Sequence, residues 1–297
     1  MKVETISIGS FNEVQVFIRR EDLIHPQVSG NKYRKLFYNL AHVQANQLKS
    51  ILTFGGAHSN HIAATAFAAH EKGIAAIGVI RGEELIQPEL WSPTLLQAHQ
   101  LGMQFHFISR DDFRTLKGNE AYWQVLYPDS YILPEGGSNA LAVKGCSEIL
   151  SKEDESYDFV VTAVGTGGTI AGLINAQLPS TKILGFPALM GDFLRQDICS
   201  FATGKNWDLV TGYEFGGYAK ITPELIAFIN AFYQEHSIPL DPIYTGKAMF
   251  GVFDKIQANF FPKGSKILFI HTGGLQGIPG VNAVLKKKNQ PLIQFYE

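Results

Sequence analysis

The stretch FVVTAVGTGGTIAGL, residues 159–173, decides the fold. Phe159–Val164 is an unbroken apolar, β-branched run that predicts a strand covered on both faces. Gly165–Gly168 predicts a tight turn, and from Thr169 onward the spacing predicts a helix. Such a turn leaves backbone amides pointing at an anion on the positive end of the helix dipole, and a phosphate is the natural occupant. The alternative is that the glycines only allow the helix to pack closely on the strand.

The same strand–turn–helix order recurs along the chain. Six further strands are predicted, with sequences VQVFIR, SILTF, IAAIGVI, MQFHFI, KILGF and SKILFI. The stretches between several of them have helical spacing and end in Gly or Pro, so we expect an α/β fold with mainly parallel sheets. Ligands of such sheets bind at the carboxyl ends of strands. Five junctions rich in glycine or small polar residues, FGGAHSNHIAA, PEGGSNALAVKG, AVGTGGTIAGL, IHTGGLQGIPG and DPIYTGKAMFG, therefore predict a ligand cleft.

Composition excludes several classes of protein. The 297 residues carry a formal net charge of -2, which gives no general attraction to nucleic acid or to anionic membranes. No apolar run is long enough to span a bilayer, and the first residues lack the order of a signal peptide. Two cysteines, Cys146 and Cys199, are too few for a disulfide framework or a four-cysteine zinc site. We expect a cytoplasmic protein of two lobes.

The stretch SGNKYRKL, residues 29–36, places Lys32, Arg34 and Lys35 in the opening of a predicted helix. Cations at the positive end of a helix dipole repel it by some tenths of a kcal/mol each. A dianion nearby would relieve that repulsion. These residues are therefore either solvated surface charges or groups that hold an anion.

The blocks SGNKYRKL, GGAHSNH, PEGGSNAL, VGTGGTIAG and DPIYTGKAM, in this order, resemble the pyridoxal-phosphate enzymes that comprise 1-aminocyclopropane-1-carboxylate deaminase and D-cysteine desulfhydrase. The resemblance implies a tryptophan-synthase-β-like fold, PLP fold type II, and a homodimer. It also implies that a small α/β lobe, residues 46–142, is inserted in a large cofactor-binding lobe of residues 1–45 and 143–297. The implied cofactor is pyridoxal 5'-phosphate, and the implied substrate is a small amino acid.

The resemblance implies that Lys32 carries the cofactor as a Schiff base and that Lys35 lies toward its phosphate. A lysine acts as nucleophile and base when its pKa is depressed, and the neighbouring cations favour that. The implied phosphate cup comprises Gly165, Thr166, Gly167, Gly168 and Thr169.

Ser59, Asn60 and His61 fall at a predicted helix start, where amides and small donors bind carboxylates. In the family this segment binds the substrate carboxylate and contacts the cofactor ring. Without the resemblance, Ser59 is an ordinary helix cap. A metal site formed by His58, His61 and His70 is disfavoured because no acid or cysteine completes the set.

The block DPIYTGKAM bears on the reaction. The resemblance implies that Tyr244 lies near the cofactor ring and that Thr245 faces its pyridine nitrogen. At this position the deaminases of the family have Glu. A threonine there leaves a weaker electron sink, which favours β-elimination over opening of a cyclopropane. His61 stands where the deaminases have Gln, which favours the same reaction. The family also has a second active-site tyrosine, which Tyr218 matches in part.

The resemblance thus implies a lyase with Lys32, Ser59, Tyr244 and Tyr218 as catalytic residues. The leading reaction converts D-cysteine to pyruvate, ammonia and hydrogen sulfide, with Lys32 as the base at the α-carbon. Two alternatives remain: ring opening by a 1-aminocyclopropane-1-carboxylate deaminase, and a non-catalytic module that binds a phosphorylated metabolite.

Overall fold

The computed structural model describes residues 3–176, 178–191 and 193–294. The strands of the described residues are β1 Thr5–Phe11, β2 Val14–Arg19, β3 Ser50–Gly55, β4 Ala75–Arg81, β5 Gln104–Ile108, β6 Ser130–Ile132, β7 Phe159–Val164, β8 Lys182–Pro187, β9 Trp207–Leu209 and β10 Lys266–Ile270. The α-helices are α1 Asn31–Ala45, α2 Asn60–Glu71, α3 Pro93–Gln100, α4 Arg110–Leu116, α5 Glu120–Leu126, α6 Ala140–Ser147, α7 Gly168–Asn175, α8 Phe193–Cys199, α9 Pro223–His236, α10 Thr245–Gln257 and α11 Ile278–Lys287. Strands and helices alternate through most of the chain, which confirms the predicted α/β class.

The chain divides into two compact units. The larger unit comprises Met1–Asn31 and Cys146–Glu297, and the smaller comprises Lys32–Gly145. The family resemblance implies a small lobe of residues 46–142, whereas this division assigns Lys32–Gly145 to the smaller unit. The difference lies in α1, whose Lys35 donates hydrogen bonds to Gly136 and Ser138 of the smaller unit.

The larger unit is built on a six-stranded sheet with the order β1-β2-β10-β7-β8-β9. Only the pairing of β1 with β2 is antiparallel among these strands. In β7, Val161 and Ala163 pack in the core that contains α9, α10 and α11, and Val160 and Val164 pack in the core that contains α7 and α8. Apolar cover on both faces explains the unbroken apolar run of this strand.

The smaller unit is built on a four-stranded parallel sheet with the order β5-β4-β3-β6. Every residue of β3 is buried. On one face of the sheet Phe54 packs edge-on against Trp123 of α5, and Phe113 of α4 belongs to the same cluster. This cluster buries large aromatic surfaces and fixes α4 and α5 on the sheet.

Each sheet has one place where the chain connections diverge. In the larger unit the chain runs from β7 outward to β8 and β9, while β10 lies on the other side of β7. In the smaller unit it runs from β3 outward to β4 and β5, while β6 lies on the other side of β3. Crevices form at such switch points, outside the carboxyl ends of the strands, and ligands of open α/β sheets bind there. Within the described ranges, no helix combines the length and apolar character that crossing a membrane requires.

Candidate active site

The turn after β7 forms an open cup at the switch point of the larger unit. The helix α7 begins at Gly168, one residue before the predicted start, and its N-cap Gly167 has the left-handed φ of 80°. No side chain of the described residues caps this helix. The first amides of a helix have no partner within it, so those of this turn are suited to a phosphate. The cup therefore fits the phosphate that the sequence predicted for it.

Asn31 ties this cup to the loop after β10. Its side-chain amide donates to Oγ1 of Thr169 over 2.8 Å, and its backbone N–H donates to the carbonyl of Thr272 over 3.3 Å. The turn at Gly30 passes so close that an added Cβ would lie 1.9 Å from the Thr272 oxygen. Lys32 is the next residue in the chain after Asn31. Asn31, which precedes Lys32 in the chain, is thus hydrogen-bonded to both loops at the switch point of the larger unit.

The ring of Tyr244 lies beside the cup, and Tyr218 lies next to Tyr244. An added Cβ at Gly165 would lie 3.2 Å from the ring of Tyr244, so glycine is what allows the ring to approach. The Tyr218 ring lies edge-on to it, with 6.1 Å between the ring centroids. Tyr244 is half-buried, and Tyr218 remains 46% exposed. One phenol ring therefore borders the phosphate cup, and the second lies behind it against the first.

Thr245 begins α10 in a closed set of hydrogen bonds with Asp241. The Thr245 hydroxyl donates to Oδ1 of Asp241 over 2.9 Å and accepts from the backbone N–H of Asp241 over 2.9 Å. The same carboxylate accepts the backbone N–H groups of Ile243, Tyr244 and Thr245. Thr245 is fully buried. A hydroxyl has one proton to donate, so Thr245 would have to release Asp241 before it could donate to a ring nitrogen.

In the smaller unit, Ser59 and Asn60 form the start of α2, directly after β3. Ser59 is the N-cap, and its hydroxyl accepts the backbone N–H of Ile62 over 3.3 Å. Asn60 is the first residue of the helix, and both side chains are half-buried. The capping role given to Ser59 without the resemblance is confirmed, and it leaves the other amides of the first turn available to an anion.

His61, the next residue of α2, is buried and held as a neutral ring. The Thr53 hydroxyl donates its proton to the carbonyl of Leu133, so at the 2.8 Å contact Nε2 of His61 must donate to Thr53. Nδ1 is then an acceptor, and it is buried without a hydrogen-bond partner among the described residues. Burial, followed by the charges of Lys32 and Lys35, holds the pKa of His61 well below its ordinary value. The ring is therefore unsuited to donating a second hydrogen bond to a carboxylate.

The cations of α1 are mostly not solvated. Arg34 and Lys35 are 5% and 2% exposed, and Lys32 is half-buried. The Nζ atom of Lys35 donates to the carbonyl of Gly136 and to the Ser138 hydroxyl, each over 3.0 Å. The interpretation of Arg34 and Lys35 as solvated surface charges is wrong, since the loop after β6 supplies acceptors to Lys35.

The predicted site residues fall into two groups. The cup residues Gly165, Thr166, Gly167, Gly168 and Thr169 lie with Tyr218, Tyr244 and Thr245 in the larger unit, and Lys32, Lys35, Ser59, Asn60 and His61 lie in the smaller. Sequence reasoning assigned no role to Asn31, Thr272 or Asp241. Asn31 lies in SGNKYRKL, Thr272 lies in IHTGGLQGIPG, and Asp241 is the first residue of DPIYTGKAM. Each therefore lies in a stretch that the sequence already identified as part of the ligand site.

Comparison with known proteins identifies the family of this chain. The profile of a family described as pyridoxal-phosphate dependent enzyme matches residues 3–273. The chain is 31% identical to the bifunctional D-cysteine desulfhydrase/1-aminocyclopropane-1-carboxylate deaminase, mitochondrial, of Arabidopsis thaliana, over 91% of this chain and 75% of that protein. It is 32% identical to a putative 1-aminocyclopropane-1-carboxylate deaminase of Pyrococcus horikoshii, over 88% of this chain and 85% of that protein.

A solved structure described as an ACC deaminase homologue superimposes with a TM-score of 0.81, covering 97% of this chain and 94% of that one, at 27% identity. The predicted fold type II is therefore confirmed, as is pyridoxal phosphate as cofactor. The uncapped cup after β7 suits the phosphate of that cofactor, and the chain belongs to the family of pyridoxal-phosphate dependent enzymes.

Proposed function

We propose that the chain catalyses β-elimination from a small amino acid, with D-cysteine as the substrate. The overall reaction consumes D-cysteine and water and yields pyruvate, ammonia and hydrogen sulfide. The name of the Arabidopsis relative contains this activity.

One observation carries the choice of β-elimination. At the start of α10, position 245 has a hydroxyl instead of a carboxylate, and the neighbouring Asp241 carboxylate already accepts three backbone N–H groups and the Thr245 proton. No carboxylate at this helix start is available to keep a ring nitrogen protonated. The electron sink is then weak, which suffices to expel a thiolate but not to open a cyclopropane.

In this proposal Lys32 holds the cofactor covalently, and its Nζ atom takes the proton from the α-carbon of the substrate. The bound cofactor supplies one thing, a conjugated ring that withdraws the electron pair left on the α-carbon. Ser59 and Asn60 bind the substrate carboxylate through the first turn of α2. Tyr244, with Tyr218, supplies a hydroxyl proton to the sulfur as the carbon–sulfur bond breaks. Gly165–Thr169 and Lys35 bind the phosphate.

Ring opening by a 1-aminocyclopropane-1-carboxylate deaminase is the second candidate, because the names of both relatives contain that activity. The two reactions differ in the bond that breaks and in the product. Both require Lys32.

A keto-acid assay over D-cysteine, L-cysteine, D-serine and 1-aminocyclopropane-1-carboxylate tests the choice, with sulfide measured in parallel. We expect equal amounts of pyruvate and sulfide from D-cysteine and negligible product from the cyclopropane acid. Efficient ring opening, or no elimination from any β-substituted amino acid, would overturn the proposal. Lys32→Ala should abolish turnover, whereas Lys49→Ala, which removes an exposed lysine paired with Asp129, should leave it unchanged.

We also propose that the protein is a cytoplasmic homodimer. The cysteine usage, with Cys146 buried and Cys199 exposed, suits a reducing compartment. The dimer rests on the family resemblance. Sedimentation equilibrium tests it, with twice the chain mass expected.

A further inference from the structure

Lys247 is a buried cation that the proposed reaction does not use. It lies in the first turn of α10, three residues after Tyr244, and is 1% exposed. Its Nζ atom donates to the backbone carbonyls of Glu214 and Gly217, over 2.8 Å and 2.9 Å. A buried ammonium needs such acceptors, because an unpaired charge in the interior is costly.

The loop that receives these hydrogen bonds has a strained backbone. Phe215 and Ala219 have left-handed φ values of 52° and 57°, which side chains disfavour, and Gly216 and Gly217 have φ values of 86° and 112°. Left-handed conformations of non-glycine residues persist only where the surroundings hold them. Lys247 supplies such a constraint because it binds the carbonyls at both ends of the turn 214–217.

The residue that follows this turn is Tyr218. Its ring is 46% exposed, yet it lies edge-on to Tyr244, with 6.1 Å between the ring centroids. Neither neighbour of Tyr218 supplies an anchor, since Gly217 has no side chain and Ala219 is exposed. The position of the Tyr218 hydroxyl therefore depends on the backbone that Lys247 holds.

We propose that Lys247 is a positioning residue that clamps the loop 214–219 and thereby fixes Tyr218 beside Tyr244. The catalytic consequence rests on the proposed function, in which both tyrosines act at the leaving group. The clamp itself is a property of the chain that can be tested without turnover.

The charge on the clamp is sensitive to pH. Burial lowers the pKa of Lys247 to about 8, and the carboxylates of Asp241 and Glu214, which face it from the two adjoining loops, oppose part of that shift. Below this pH the ammonium makes charge-assisted hydrogen bonds, which are stronger than those of the neutral amine. The loop should therefore loosen as the pH rises above 8.

Cleavage by trypsin after Lys220, an exposed residue that directly follows the loop, measures how mobile the loop is. Cleavage after the exposed Lys263 provides a reference on the same chain. In the full-length protein, Lys247→Met should raise the rate of cleavage after Lys220 tenfold or more relative to cleavage after Lys263. In the unaltered protein the same ratio should rise at least threefold between pH 7 and pH 9. Lys247→Arg, which keeps its charge throughout, should keep the ratio constant over this range.

Kinetics with D-cysteine separate positioning from a purely structural role. Lys247→Met and Tyr218→Phe should lower kcat by similar factors, and the double variant should be no slower than either one. Unchanged cleavage ratios in Lys247→Met and with pH, or multiplying losses of kcat in the double variant, would overturn the proposal. If no amino acid is turned over, the proposed function fails while the cleavage ratios still decide whether Lys247 holds the loop.

Discussion

The side-chain amide of Asn31 donates to the Thr169 hydroxyl over 2.8 Å, joining two residues that are 138 positions apart in the chain. The hydrogen bond connects the turn before Lys32 to the first turn of α7, where the cofactor phosphate is expected. It therefore fixes Asn31, the residue that precedes Lys32 in the chain, to the phosphate cup.

Removing this hydrogen bond should weaken cofactor binding. A hydrogen bond contributes about 0.5–1.5 kcal/mol net, so Asn31→Ala should raise the Kd of pyridoxal phosphate by about two- to tenfold. Equilibrium dialysis of the cofactor measures the change. Asn230→Ala, which removes an exposed amide that donates to Leu292, is the control and should leave the Kd unchanged. If Asn31 and Thr169 act through this hydrogen bond, the double variant Asn31→Ala/Thr169→Val should bind the cofactor no more weakly than Asn31→Ala alone. Losses that add in the double variant would contradict the link.

Gly167 should tolerate no side chain. Its φ of 80° is left-handed, and an added Cβ would lie 2.9 Å from the Ile198 side chain. Gly264 has a similar φ of 84°, but a Cβ added there would meet no atom within 4 Å. It is therefore a matched control for backbone strain alone. Gly264→Ala should cost about 1–2 kcal/mol of unfolding free energy, and Gly167→Ala should cost more and also weaken cofactor retention. Equal costs in urea unfolding would show that the contact with Ile198 is unimportant.

His61 should make the fold sensitive to acid. In the folded chain the pKa of His61 is held well below the ordinary value of 6.5. As the pH falls, the ring therefore binds a proton in the unfolded chain before it does so in the folded chain. Stability from this residue is therefore present above pH 6.5 and lost as the pH falls below it, by at most about 1.4 kcal/mol per pH unit. Urea unfolding between pH 7 and pH 5 should show a steeper loss for the unaltered protein than for His61→Gln. Parallel curves would count against a neutral buried ring.

Thr245→Val tests the hydrogen bonds at the start of α10. The change preserves shape but leaves the buried N–H of Asp241 without its acceptor, so we expect a loss of about 1–3 kcal/mol of unfolding free energy. Thr222→Val removes the cap of α9 and serves as a comparison at a less buried helix start, where the loss should be smaller. A neutral result for Thr245→Val would mean that its hydroxyl is free to serve elsewhere.

Local patterns predicted individual strands and helices well, because the determinants of these elements are local. The apolar run before Gly165 gave the strand β7 with its observed bounds, and the glycines placed the start of α7 within one residue. Glycine permits the positive φ found at residue 167 without steric cost. The sequence therefore located the glycine turn at the start of α7, where the phosphate is proposed to bind, without a structure.

Partners that are distant in the chain could not be predicted. The resemblance implies that Lys35 lies toward the phosphate. Its observed acceptors, Gly136 and Ser138, come from a loop about 100 residues later in the chain. Asn31 stood inside the quoted block yet was given no role, because its role depends on Thr169. Hydrogen-bond partners emerge only from tertiary packing, which periodicity and residue type do not specify.

Reduction with borohydride followed by peptide mass mapping tests the central claim most directly, since it fixes the cofactor covalently to the lysine that holds it. The account predicts a pyridoxyl adduct on Lys32, abolished by Lys32→Ala and retained in Lys49→Ala. An adduct on Lys35 or Lys247, or on no lysine, would contradict it.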